Sequence, residues 1–113
     1  MRISKLHVHD VTIIVLDGQF DGNTAGDALT FFRSSYDETS KYLIADFRNV
    51  DYISSAGLRV LLCVLQELRH IKGDLRVAAI DKNVRRVFSA TGFAQLMQVY
   101  DNVELGIASY AAA

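Results

Sequence analysis

The chain has 113 residues, half of them hydrophobic, which suits one compact domain with a real core and leaves no room for a second. Its 12 Lys and Arg against 13 Asp and Glu give a net charge of -1 with the signs interspersed, which excludes the basic footprint of a nucleic-acid binder. The longest apolar run, Val60 to Leu65, falls far short of the roughly 20 residues needed to cross a bilayer, and neither a signal peptide nor a Cys/His cluster with metal-ligand spacing is present, so the expectation is a cytoplasmic protein with no membrane span, metal or cofactor.

In chain order, Ile3 to Val8 and Val11 to Leu16 read as two strands joined at His9-Asp10 in a tight antiparallel hairpin. Gly18 to Gly22 is a loop. From Asn23 or Thr24, both good N-cap types, the apolar residues Ala25, Ala28, Leu29, Phe32 and Tyr36 recur at helical spacing and predict an amphipathic helix. Phe31 falls off that stripe and reads as a surface aromatic. Tyr42 to Phe47 is a continuous apolar strand, the pattern of a strand buried on both faces of a parallel sheet.

Next comes a helix from Ser55 to about Lys72, with Leu58, Val60, Leu61, Val64, Leu65, Leu68 and Ile71 on its apolar arc and Gly73 as its stop. Arg59, Gln66 and His70 lie opposite. Cys63 falls about 40° from Arg59 on the helical wheel, so it reads as partly exposed and inert. Asp74 to Ile80 predicts another buried strand, Asn83 to Ala90 a short helix ended by Thr91-Gly92, Leu96 to Tyr100 a last strand and Val103 to Ala112 a last helix. Strands and helices alternating after a hairpin define an α/β fold: a mixed, mostly parallel sheet with an antiparallel N-terminal edge. His7 and His9 alternate on the first strand, and two such residues without a third ligand read as solvated edge positions.

The chemistry concentrates where a strand passes through a polar turn into a helix, at Tyr52-Ile53-Ser54-Ser55-Ala56-Gly57-Leu58. The first N–H groups of a helix have no intrahelical partners and the helix dipole is positive there, so a phosphate on Ser54 or Ser55 is stabilised without disturbing the fold. On local sequence alone, both serines also read as plain N-caps. Gly57 in the first helical turn implies a close approach, either by a partner's backbone or by the domain's own sheet. No Ser/His/Asp set, paired acid and base, or phosphate-binding glycine loop points to an enzyme.

Gly18-Gln19-Phe20-Asp21, Asp46-Phe47-Arg48-Asn49-Val50, the double-serine segment, and Val84-Arg85-Arg86-Val87-Phe88 followed by Thr91-Gly92-Phe93 together resemble the successive signatures of STAS domains. The likeness is strongest to the stand-alone bacterial anti-sigma factor antagonists, and it spans nearly the whole chain. It implies a single STAS domain over residues 1–113 that works by partner switching. In its unphosphorylated form such a protein binds a GHKL-type serine kinase that doubles as an anti-sigma factor. Phosphorylation ends the binding, and a PP2C-type phosphatase restores it. The family's acceptor is the second residue before the Gly-Leu pair, here Ser55, with Ser54 standing where many members have Asp. Partner contacts are implied at Asp21, Asn23, Ser54, Ser55, Ala56, Gly57, Leu58 and Arg59; Asp21 fits either an acidic position near the acceptor or a helix cap. A STAS interaction subunit of a membrane transport complex, without phosphorylation, is the alternative.

Overall fold

A computed structural model describes residues 1–111. The hairpin forms as expected: β1 (Arg2–Val8) and β2 (Val11–Asp17) pair antiparallel around the two-residue turn His9-Asp10, with Val8 opposite Val11. His9 takes a φ of 54°, a turn conformation that usually falls to Gly or Asn. The chain then runs through α1 (Ala25–Arg33), β3 (Tyr42–Asn49), α2 (Ser55–His70), β4 (Asp74–Ala78), α3 (Lys82–Thr91), a 3₁₀ turn (Phe93–Gln95), β5 (Val99–Tyr100) and α4 (Val103–Ala111).

The sheet order is β1-β2-β3-β4-β5, with β2 to β5 parallel. Alternation along each strand sorts side chains to two faces. Ile14, Leu16, Leu43, Ala45, Phe47, Leu75 and Val77 face one way and form the main core with residues of α1, α2 and α3. Val11, Ile13, Ile44 and Ala78 face the other way, under Val103, Ile107 and Tyr110 of α4. This two-sided cover explains the continuous apolar run of β3. The three crossover helices share one face, as a common handedness requires, so their N-termini collect at the carboxyl ends of the parallel strands.

Several boundaries differ from the sequence reading. Helix α1 stops at Arg33, where Ser34 and Ser35 both turn their hydroxyls back onto the Phe31 carbonyl at 2.7 Å. Tyr36 therefore lies beyond the helix. Phe31 is no free surface aromatic; it is half-buried against the main core. The last strand shrinks from Leu96–Tyr100 to Val99–Tyr100, because Leu96 closes the 3₁₀ turn onto Phe93 and only Val77 and Ala78 are available to pair. Strand β4 ends at Ala78, before Ala79 turns away with a φ of 62°. Ala112 of the predicted last helix lies outside the described residues.

The end of α2 corrects the role given to Gly73. The left-handed residue is Lys72, at φ 67°, with its amide on the Arg69 carbonyl and the Gly73 amide on Leu68, which is the Schellman arrangement. Gly73 is required for another reason: a Cβ there would stand 2.1 Å from the Lys41 carbonyl oxygen.

Candidate functional site at the start of helix α2

Two loops build the site. The Gly18 amide donates to the Asn49 carbonyl and the Phe20 amide to the Tyr52 carbonyl, both at 3.0 Å, and the Ser54 amide donates to the Phe20 carbonyl at 2.9 Å. Phe20 and Ile53 form an isolated parallel bridge. The loop after β2 is thereby stitched to the loop after β3, and both anchors are buried: Phe20 at 0 % exposure and Ile53 at 2 %. The start of α2 is held rigidly relative to the sheet.

On this frame the two serines differ. Ser54 is the N-cap, half-buried, and its hydroxyl accepts the Gly57 amide at 3.4 Å. Ser55 is the first helical residue and is exposed. The first turn of α2 contains no acidic side chain, while Arg69 and His70 occupy its last turn. Its N-terminal end therefore keeps the full positive end of the helix dipole for an added anion. Arg59, one turn after Ser55, is exposed as well, with Ala56 and Leu58 half-buried between them.

Gly57 is buried, and the structure decides between its two readings. A Cβ would stand 2.8 Å from both Ile53 Cγ1 and the Phe20 carbonyl oxygen. The close approach comes from the domain's own loops, so Gly57 is not part of a surface open to a partner.

Asp21 sits beside Phe20 and organises its own turn. Its Oδ1 accepts the Asn23 amide at 2.9 Å and its carbonyl accepts the Thr24 and Ala25 amides. Thr24, the N-cap of α1, makes no side-chain cap; its hydroxyl donates to the Gln19 carbonyl at 2.8 Å and accepts the Asp21 amide. Among the described residues no hydrogen bond joins Asp21 to Ser54 or Ser55. Asn23 is exposed at the tip of this turn.

Tyr52 and Asp46 carry no role in the sequence reading. Tyr52 is 49 % exposed, because Val50 and Ile53 fill the inward positions of the loop. Asp46 is buried at the carboxyl end of β3, where its carboxylate accepts the Arg48 amide at 3.0 Å and the largely exposed Arg48 guanidinium at 3.1 Å. In sequence, Tyr52 stands with Asp51 between the apolar Val50 and Ile53, and that pattern is the signal that marks it.

Cys63 lies apart from the site, between α1 and α2. Its thiol donates to Glu67 at 3.2 Å and receives an Arg33 N–H at 3.3 Å, while Glu67 also accepts from Tyr36. Burial, then the Glu67 carboxylate, pushes the thiol pKa up, which suits an inert thiol. His7 and His9 are both exposed on the hairpin, and the His7 ring shares a hydrogen bond with the Thr12 hydroxyl at 3.1 Å.

A five-stranded mixed sheet with three helices on one face and one on the other, presenting two serines at the start of the helix after β3, defines a small α/β domain of the STAS type. The family model of the STAS domain matches residues 2–106, and the chain belongs to that family. It is 29 % identical over 110 residues to BtrV of Bordetella bronchiseptica, named as a candidate anti-sigma factor antagonist, with 97 % of this chain and 95 % of BtrV covered. A candidate anti-sigma factor antagonist of Thermotoga maritima superposes with a TM-score of 0.89 at 18 % identity, covering 95 % of this chain and 92 % of the other. The anti-sigma factor antagonist SpoIIAA of Bacillus superposes in its unphosphorylated form with a TM-score of 0.74 at 16 % identity over 99 % of both chains. The structural likenesses establish the fold. Among the described residues no helix is long and apolar enough to cross a membrane.

Proposed function

We propose that this chain is an anti-sigma factor antagonist that acts by binding and not by catalysis, in the cytoplasm. In its unphosphorylated form the surface around Ser55 binds a GHKL-type serine kinase that is also an anti-sigma factor, and so frees the kinase's other client. The kinase transfers phosphate from ATP to Ser55 and releases the product, and a PP2C-type phosphatase resets it. The observation that carries this reading is the unequal placement of two adjacent hydroxyls: Ser54 is spent on capping, and Ser55 is exposed at the positive end of α2. A phosphate at Ser55 leaves the cap bond and the loop stitching untouched.

Asp21 and Asn23 flank the serines through the Phe20 anchor, so an interface centred on Ser55 reaches Asn23, Tyr52 and Arg59 as well. Incubating the purified protein with ATP and the GHKL kinases of its own genome, followed by intact mass and phosphopeptide mapping, tests the reading. One added phosphate on Ser55 supports it. No phosphate from any such kinase sinks it and favours an unphosphorylated interaction subunit of a transport complex.

A further inference from the structure

The sheet order ends on β5, and β5 supplies only two residues, so among the described residues no further strand covers this flank beside α3. A depression of about 550 Å³ lies there, lined by Ile80, Phe88, Leu96 and Val99 together with Arg69 and Arg85. Beyond Arg85 and Ser89 this groove opens onto the outer face of α3, which adds Lys82 and Arg86. Four cations therefore line the groove and the adjoining face of α3, and no Asp or Glu does.

Lys82, Arg85 and Arg86 are exposed and, among the described residues, enter no ion pair. Arg69 pairs with Asp74 at 3.2 Å while keeping about half its side chain in solvent. The neighbouring acid Asp81 is engaged as the cap of α3, accepting the Val84 amide at 2.8 Å, and Asp101 follows Tyr100 outside the lining. Helix stability does not account for the cluster. Lys82 stands three residues from Arg85 and four from Arg86, spacings at which like charges destabilise a helix.

We propose that this groove docks an extended acidic segment of a protein partner, with carboxylates meeting Lys82, Arg85 and Arg86 and apolar side chains lying against Leu96 and Val99. Cations beside an apolar lining complement a segment that alternates acidic and aliphatic residues. A single-stranded nucleic acid fits less well, because Phe88 is fully buried and the half-buried Tyr100 is left as the one ring face in the lining on which a base could stack. None of the residues of the Ser55 surface lines the groove, so the proposal stands independently of the phosphorylation reading.

The test needs no kinase. The full chain, isotopically labelled, is titrated with a synthetic peptide alternating Glu and Leu, with its Lys-Leu counterpart, and with a single-stranded oligonucleotide, while backbone amide shifts are followed. The acidic peptide is expected to move the amides of Arg85, Ser89, Leu96 and Val99. Its affinity should fall at least about tenfold in the Arg85→Gln, Arg86→Gln double variant and on raising salt from about 50 to about 300 mM. Both arginines are exposed and, among the described residues, enter no ion pair, so the variant keeps its fold, which native-like amide positions of β1, β2 and β3 in its own spectrum report directly. Absence of shifts with the acidic peptide, equal shifts with the Lys-Leu peptide, undiminished binding by the double variant, or tighter binding of the oligonucleotide in this groove would each overturn the proposal.

Discussion

The Ser54 hydroxyl accepts the Gly57 amide at 3.4 Å, and that bond separates two neighbouring serines into a cap and a free hydroxyl. Ser54→Ala therefore lowers stability by about 0.5–1 kcal/mol, at the low end for an N-cap because the bond is long. It leaves phosphate transfer in place. Ser55→Ala does the opposite: stability is unchanged within a few tenths of a kcal/mol and no phosphate is added. Urea unfolding and intact mass, run on both variants with the kinase, decide the pair; a phosphopeptide mapping to Ser54 contradicts the assignment.

The same substitution at two glycines should have opposite signs. Gly26 is the second residue of α1 with nothing within 4 Å of a built Cβ, so Gly26→Ala gains up to about 0.5 kcal/mol from helix propensity. Gly57→Ala gains the same propensity but drives a methyl to 2.8 Å from the Phe20 carbonyl, the group that receives the Ser54 amide. Overpacking of this kind costs about 1–3 kcal/mol, so a net loss is expected, together with weaker kinase binding because the start of α2 is displaced. Denaturant midpoints measure both.

At the end of α2 the ordering of Lys72 and Gly73 is the reverse of the usual one. Lys72 holds the left-handed position at φ 67°, so Lys72→Gly is expected to stabilise by up to about 1 kcal/mol. Gly73→Ala faces the Lys41 carbonyl oxygen at 2.1 Å from its Cβ and should destabilise more than Gly57→Ala, since backbone must move. Thermal melts of the two variants that shift in the same direction contradict this account.

These details mark the limit of what sequence pattern conveys. Periodicity located the strands, the helices and the start of α2, because a buried sheet with amphipathic cover writes itself into the spacing of Val, Ile, Leu and Phe. The strand at the sheet edge was overlong in that reading, since its length depends on how much of β4 is left to pair and Leu96 carries no sign of that. The role of Gly57 was open for the same reason: a close contact made through Phe20, far away in the chain, leaves no local trace. Pattern puts the helix stop at Gly73, one residue past the left-handed Lys72, because glycine marks both left-handed turns and close approaches.

Glu67 joins α1 to α2 by accepting from Arg33, Tyr36 and Cys63. The Arg33 guanidinium, and next the Tyr36 hydroxyl, hold its carboxyl down to about 2 from an ordinary 4.5. A carboxyl depressed in the folded state contributes stability that is present above its unfolded value and lost as pH falls toward the folded one. The cluster is largely exposed, so solvent screening keeps this contribution small. Glu67→Gln is expected to lower stability at neutral pH and to flatten the acid side of the profile between about pH 4.5 and pH 2. Urea midpoints collected through that window check it; an unchanged acid slope shows that the clasp is not coupled to folding.

The proposed switch rests on what a phosphate at Ser55 would do to a partner that grips the start of α2. On the proposed reading a kinase would present ATP phosphates and acidic groups to Ser55, so a phosphate carrying about −1.5 to −2 charges held in that interface would meet like charge and would have to be desolvated. A penalty of about 3 kcal/mol weakens binding roughly a hundredfold, enough to turn the pair from mostly bound to mostly free. Ser55→Asp has less charge and a different shape, so a loss of at least about tenfold is expected, whereas Ser55→Ala should bind as tightly as the native chain. Tyr52→Ala tests the footprint without touching the hydroxyl: an aromatic 49 % exposed beside the acceptor should act as an anchor, and its removal should weaken the unphosphorylated complex about tenfold. Release through unfolding is not expected, because a phosphate on Ser55 would land at the exposed N-terminal end of α2 and the modified protein should melt within a few degrees of the unmodified one. Calorimetric titration of the kinase with the native, phosphorylated and variant proteins separates these expectations. Equal affinities for the phosphorylated and unmodified forms would remove the switch and leave a phosphate-independent interaction domain.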